Sequence, residues 1–134
     1  MNNPGTRQVG VVTTFTKQVS EADIALFELV TRLEQVQPEE PAVPVRQPRK
    51  AAPYPLLVAL LASVVAYHTP RPELARFVRQ DIHFSAPIYT DDVLSLTTEL
   101  VEYDAAGHTL RIRARCRNQD GLDLAEGEFL LMDE

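Results

Sequence analysis

The chain has 134 residues, 45% hydrophobic and 24% charged, with 13 Lys and Arg against 19 Asp and Glu and a formal net charge of −6. This size and composition suit a single globular domain that buries about two thirds of its unfolded surface, and the acidic balance argues against a nucleic-acid or membrane-surface partner. The opening MNNPGTRQVG lacks the apolar run of a signal peptide, and the one cysteine, Cys116, can form no internal disulfide or metal cluster. The expectation is a cytoplasmic protein without a metal or cofactor.

In chain order, Gly10 to Thr16 (GVVTTFT) is β-branched and aromatic and predicts a strand. Ser20, with Asp23 three residues later, predicts a capped helix start; Ile24, Phe27 and Val30 recur at helical spacing, and the helix should stop near Glu34. From Gln35 to Pro55 the chain holds six of its ten prolines and no glycine. Proline lacks a backbone donor and fixes φ, so this stretch should be an extended surface loop. Loops of that length inside a small domain are usually functional or disordered.

Residues 56–67 read LLVALLASVVAY, without a charge. A helix apolar on every side is buried in protein or in lipid. Twelve residues rise only about 18 Å against a hydrocarbon core of about 30 Å, and Pro53, Pro55, Pro70 and Pro72 punctuate both ends. The expectation is a core helix over about residues 55–68, enclosed by a sheet.

Four strand-like runs follow. Phe77 to Ala86 places Val78, Ile82 and Phe84 on one face and Arg79, Asp81 and His83 on the other. Leu94 to Tyr103 has Leu94, Leu96 and Leu100 in phase, and His108 to Asn118 alternates Leu110, Ile112, Ala114 and Cys116 with Arg111, Arg113, Arg115 and Arg117. Asp120-Gly121 predicts a two-residue hairpin that pairs Gln119 with Leu122. That register sets Arg115 opposite Glu126, Arg113 opposite Glu128, Ile112 opposite Phe129 and Cys116 opposite Ala125, and a one-residue slip would set arginines against Ala125 and Gly127. Four arginines in a row could clamp phosphates, as could Arg46, Arg49 and Lys50 in the proline-rich loop. With acidic neighbours across the ladder, the arginines read first as the wet face of an antiparallel sheet.

Strand, helix, loop, apolar helix and four antiparallel strands resemble the α+β hotdog fold, in which a sheet curls around one helix. Three segments sharpen the resemblance. FVRQDIHFSAPIYTDDVLSL, with Phe84, Pro87, Ile88 and Asp91-Asp92, is similar to the Phe-x-x-Pro-Val then Gly-Asp segment of MaoC-like acyl-thioester hydratases and dehydratases. CRNQDGLDLAEGEFLLM resembles that family's last hairpin, and VSEADIALFELV its first helix.

The resemblance implies an acyl chain carried on coenzyme A or an acyl carrier protein, and a dimer, homo- or hetero-, whose sheets join. It also implies hydration of an enoyl thioester, or the reverse, by an Asp and a His spaced D-x-x-x-x-H after the first helix. Here those positions fall near Leu33 and Pro38, within LEQVQP, and no histidine occurs between Met1 and Tyr67. Glu34 could supply the carboxylate. The family's His-Gly at the start of the central helix is replaced by Pro53-Tyr54-Pro55, where Pro55 offers no N–H but Tyr54 and Leu56 do.

A reassigned site would then use Glu34 as base and Tyr54 as proton donor, with His68, His83 and Asp81 as more distant candidates. Tyr54, Pro55, Leu56 and Tyr67 would contact substrate. The reaction would be dehydration or hydration, conjugate addition or cyclisation of an acyl-thioester or polyketide-like intermediate. The alternative is a noncatalytic acyl-binding subunit supporting a catalytic hotdog paralogue. Each candidate also has a structural role open to it: a solvated helix end for Glu34, ring packing for Tyr54, a helix C-terminus for His68 and a sheet face for His83.

Overall fold

A computed structural model describes residues 8–32 and 51–132. Its elements are β1 (Val12–Gln18), α1 (Glu21–Thr31), α2 (Tyr54–Ala66), a 3-10 turn (Pro72–Leu74), β2 (Arg76–Phe84), β3 (Val93–Asp104), β4 (Thr109–Arg117) and β5 (Asp123–Met132). The strands form one antiparallel sheet in the order β1-β3-β4-β5-β2, and α2 packs across the central strands β3 and β4. This is the hotdog arrangement.

The core follows from alternation. Leu94, Leu96 and Leu100 on β3 face the helix together with Leu110, Ile112, Ala114 and Cys116 on β4, and Phe129 and Leu131 on β5 complete the layer. From α2, Leu57, Leu61 and Val65 enter this layer fully buried, with Leu56 and Val64 beside them. The opposite side of the helix is less enclosed than its sequence predicts, because a single sheet can cover only one side. Pro55, Ala59 and Ser63, at helical spacing, are exposed, and small side chains there leave little apolar area in water.

The strand β1 starts two residues later than expected, because Gly10 lies in a turn with φ 94°. At α1 the capping box forms in both directions: Ser20 Oγ accepts from the Asp23 amide at 3.1 Å, and Asp23 Oδ2 accepts from the Ser20 amide at 2.9 Å. The helix ends at Thr31 with Arg32 left-handed (φ 60°), short of the expected Glu34, which lies outside the described residues. Ile24 is buried and Phe27 packs against the core, but Val30 is exposed, so α1 meets the core only through its first two turns.

Two local corrections concern strand pairing. On β2 a bulge between Phe77 and Arg79 puts Phe77, not Val78, opposite the core residue Leu131. The Phe77 ring then meets Phe129 edge-on at 6.1 Å, while Val78 is exposed. At the last hairpin the predicted pairs Arg115–Glu126, Arg113–Glu128, Ile112–Phe129 and Cys116–Ala125 are all present. The turn that delivers them is different. Asn118 pairs with Leu122 around a three-residue loop ending in Gly121 at φ 78°, and Asn118 Oδ1 accepts from the Asp120 and Leu122 amides. Leu124 is then the extra residue of a bulge, which restores the register that a two-residue turn would have set.

The far face of the sheet carries the four arginines. Arg113 pairs with Glu128, Arg111 with Glu102, and Arg115 and Arg117 both reach Asp123, the latter at 2.8 Å. The Arg117 hydrogen bond holds the exposed Asp123 carboxyl below its ordinary pKa. This face is a charge lattice rather than an open anion clamp.

Candidate functional site

Pro53 caps α2 in an extended conformation without a side-chain hydrogen bond, and Tyr54 and Pro55 are the first residues of the helix. Pro is tolerated there because the first helical amides have no intrahelical acceptor. Of the two amides that sequence leaves available beside Pro55, the Leu56 N–H is engaged by the Pro53 carbonyl at 3.0 Å. The Tyr54 N–H, at the first helical position, points from the positive end of the helix dipole. Tyr54 is 44% exposed and sets its ring edge-on to Phe84 at 5.0 Å.

The chain entering α2 is fixed by its neighbours. The Ala52 amide donates to Ile88 O at 2.8 Å, and Ala51 bridges to Tyr89. The next turn is held by the buried Asp92, whose Oδ2 accepts from the Tyr89 amide and whose Oδ1 accepts from Gln119 Nε2. Gln119 Oε1 in turn accepts from the Val93 amide. Asp91 adopts φ 74°, the left-handed region that favours glycine, and its amide donates to Val19 O. Residues 85–92, which carry the Pro-Ile and Asp-Asp of the resemblance, thus join the helix entrance to the start of α1 and to the last hairpin.

Between α1 and the first half of α2 lies a groove of about 290 Å³ lined by Val19, Leu26, Phe27, Val30, Leu56 and Leu60. Lys17 and Asp23, paired at 3.0 Å, also line it. The Ser20 amide and Lys17 hold the Asp23 carboxyl below its ordinary pKa. The lining is mostly apolar, with one charged pair among it. That combination suits a hydrocarbon chain with a polar head.

The sequence candidates separate into distinct places. Tyr54, Pro55 and Leu56 stand together at the open end of α2, and Leu56 lines the groove. Tyr67 and His68 lie at the other end, with Tyr67 stacked on Phe15 at 5.4 Å and His68 Nε2 2.7 Å from the hydroxyl of the buried Thr98. Asp81 and His83 are exposed, 3.7 Å apart, on the sheet face turned away from α2. Glu34, the proline-rich loop and its Arg46, Arg49 and Lys50 fall outside the described residues. Cys116 is buried, and burial, reinforced by the Asp92 charge, pushes its thiol up to about 12.

Sequence reasoning missed the groove and Thr98. Thr98 was legible, since it shares the phase of Leu94, Leu96 and Leu100 and is therefore a polar residue on the core face. The groove was not, because it depends on the angle at which α1 leaves the sheet.

No family model and no curated protein sequence matches the chain. Similar solved structures include the unliganded R-hydratase PhaJ1 of Pseudomonas aeruginosa, with 24% identity over 95% of this chain and 83% of that one at a TM-score of 0.72. A hypothetical thioesterase of Streptococcus pneumoniae with coenzyme A is similar at 15% identity, covering 95% and 80%, with a TM-score of 0.65. So is a chain of the ChsH1-ChsH2 complex of Mycobacterium tuberculosis, at 13% identity over 96% and 100%, with a TM-score of 0.72. A hydratase and a thioesterase on one backbone mean that this likeness carries the fold and leaves the reaction to the site. Among the described residues, no helix is long and apolar enough to cross a membrane.

Proposed function

We propose that this is a MaoC-like hotdog protein that acts on an acyl thioester carried by coenzyme A or an acyl carrier protein. The carrying observation is the apolar groove that runs from α1 to the first turn of α2. The acyl chain lies along Leu26, Phe27, Leu56 and Leu60, and the thioester carbonyl reaches the Tyr54 amide at the positive end of the helix. Support comes from the motif resemblance and from the R-hydratase and the thioesterase with coenzyme A on the same backbone.

With a hydratase-type reaction, Glu34 takes a proton from water as its oxygen adds to the β-carbon of an enoyl thioester. The negative charge moves to the thioester oxygen, where the Tyr54 N–H stabilises it, and the Tyr54 hydroxyl gives a proton to the α-carbon. The reverse steps dehydrate a 3-hydroxyacyl thioester. Conjugate addition or cyclisation of a polyketide-like chain would use the same base and the same stabilised enolate. Loss or gain of the conjugated enoyl absorbance on incubation with enoyl and 3-hydroxyacyl thioesters tests this. Glu34→Gln and Tyr54→Phe should each lower the rate at least about tenfold, and unchanged rates would remove those assignments.

A second reading has its own support. No histidine precedes Tyr67, and the Leu56 amide is already engaged by Pro53, as suits an acyl-binding subunit that supports a catalytic paralogue. It is also supported by the similar chain solved as part of the ChsH1-ChsH2 complex. Binding without turnover by the protein alone, and turnover when a hotdog paralogue is added, would select this reading.

A further inference from the structure

Both walls of the groove hang from one short segment. Val19, which lines the groove just before α1, donates its amide to Asp92 O at 2.9 Å and accepts from the Asp91 amide at 2.7 Å. Leu56, which lines it from α2, follows Ala51 and Ala52, held by the bridge to Tyr89 and by the bond to Ile88 O. Residues 88–92 therefore set where α1 begins relative to where α2 begins.

That segment takes its shape from side chains. It turns through Asp91 at φ 74°, a backbone conformation that persists only where the surroundings over-determine it. Asp92, 1% exposed, spans the turn: its Oδ2 accepts from the Tyr89 amide at 2.9 Å and its Oδ1 from Gln119 Nε2 at 3.0 Å, while Gln119 Oε1 accepts from the Val93 amide at 2.9 Å. Gln119 belongs to the last hairpin, is exposed and does not line the groove. Its amide group still grips the segment through Asp92 and through the first residue of β3. The fit of an apolar chain depends steeply on such a grip, since a gap of about 0.5–1 Å forfeits a quarter to a half of the dispersion attraction of the atoms it separates.

We infer that Gln119 is a positioning residue for acyl binding: through Asp92 it fixes residues 88–92, and through them the spacing of α1 and α2 that fits the groove to an acyl chain. The inference rests on the groove reading above. It goes beyond that reading by placing a determinant of acyl selectivity on a hairpin residue that touches no ligand.

Exchanging the polarity of the pair tests it. Gln119→Glu sets a carboxylate against Asp92, and Asp92→Asn forces a donor against a donor at one of the three contacts. In the double variant the amide at 92 donates and the carboxylate at 119 accepts, so each contact again has one donor and one acceptor at unchanged total charge. Calorimetric titration of the full chain with coenzyme A and its octanoyl thioester should give each single variant an octanoyl preference at least about tenfold below wild type, equivalent to losing the burial of roughly two methylenes. The double variant should return to within about threefold of wild type. Coenzyme A itself should bind all four proteins alike.

Urea unfolding of the same proteins separates positioning from folding. Single variants that are less stable but keep the full octanoyl preference overturn the inference and make Gln119 a structural residue. Singles that lose the preference without recovery in the double variant overturn the coupling through Asp92. Should a single variant fail to fold, Gln119→Met, which adds no charge at an exposed position, replaces it: loss of octanoyl preference supports the inference and retention overturns it. A wild type without any octanoyl preference removes the groove reading, and the inference with it, before a substitution is made.

Discussion

The two ends of α2 differ in what holds them, and the proposed site lies at the more open one. At the C-terminal end His68 reaches the buried Thr98, Tyr67 stacks on Phe15 and the Thr69 hydroxyl donates to Ala66 O, so the helix is tied to β3 and β1. At the N-terminal end the cap is a proline without a side-chain bond, the first ring is half in water, and the groove opens alongside. One end is an anchor and the other is an entrance. With its C-terminal end tied to the sheet and the chain before its first turn held by Ile88 and Tyr89, the helix can present its N-terminus to a ligand without itself moving.

Substitutions can break or sharpen that contrast. The largest effect should come from the fully buried middle of the helix, where Leu61→Ala should cost about 2–5 kcal/mol, measured by urea unfolding. Gly127→Ala should cost about 1–3 kcal/mol, because a β-carbon there runs into the Asp81 carbonyl and comes within 3.0 Å of Ile82 on β2. At the anchored end, Thr98→Val keeps the volume but removes the His68 partner, and about 1–3 kcal/mol should be lost.

At α1, Ser20→Ala should cost about 1 kcal/mol through the lost cap. The same cap gives a sign for pH. Because the folded state holds the Asp23 carboxyl below its ordinary 3.8, its contribution is complete above that value and is lost as pH falls through the lower folded value. Asp23→Asn should therefore flatten the acid limb of the stability curve. The smallest effect on stability belongs to the entrance. Tyr54→Phe should change unfolding free energy by less than about 0.5 kcal/mol while lowering turnover, and a large loss of stability would make Tyr54 a structural residue.

Much of the fold was legible because its rules are local. The Ser20 and Asp23 box, the alternation of Leu110 through Cys116 and the pairing of Arg113 with Glu128 each follow from residues a few positions apart or directly across one ladder. The misses arise where backbone geometry overrides side-chain phase. The β2 bulge exchanged Val78 for Phe77, and a three-residue loop with a compensating bulge at Leu124 produced the register expected from a two-residue turn. The exposed stripe on α2 shows the same limit from another side, since hydrophobicity announces a buried helix but not how much of it one sheet can cover. At the site, the helix entrance was readable from Pro53-Tyr54-Pro55. The groove beside it emerges only from where α1 lies relative to α2.

The most direct test is a calorimetric titration with coenzyme A and its acetyl, butyryl and octanoyl thioesters, on wild type and on Leu26→Asp, an exposed groove residue whose change should not disturb folding. Affinity should rise with acyl length in the wild type, by up to about 0.8 kcal/mol per buried methylene. Leu26→Asp should lose at least about tenfold for the octanoyl thioester and nothing for coenzyme A itself. An affinity independent of acyl length, or unchanged by a carboxylate at position 26, would contradict the placement of the acyl chain between α1 and α2.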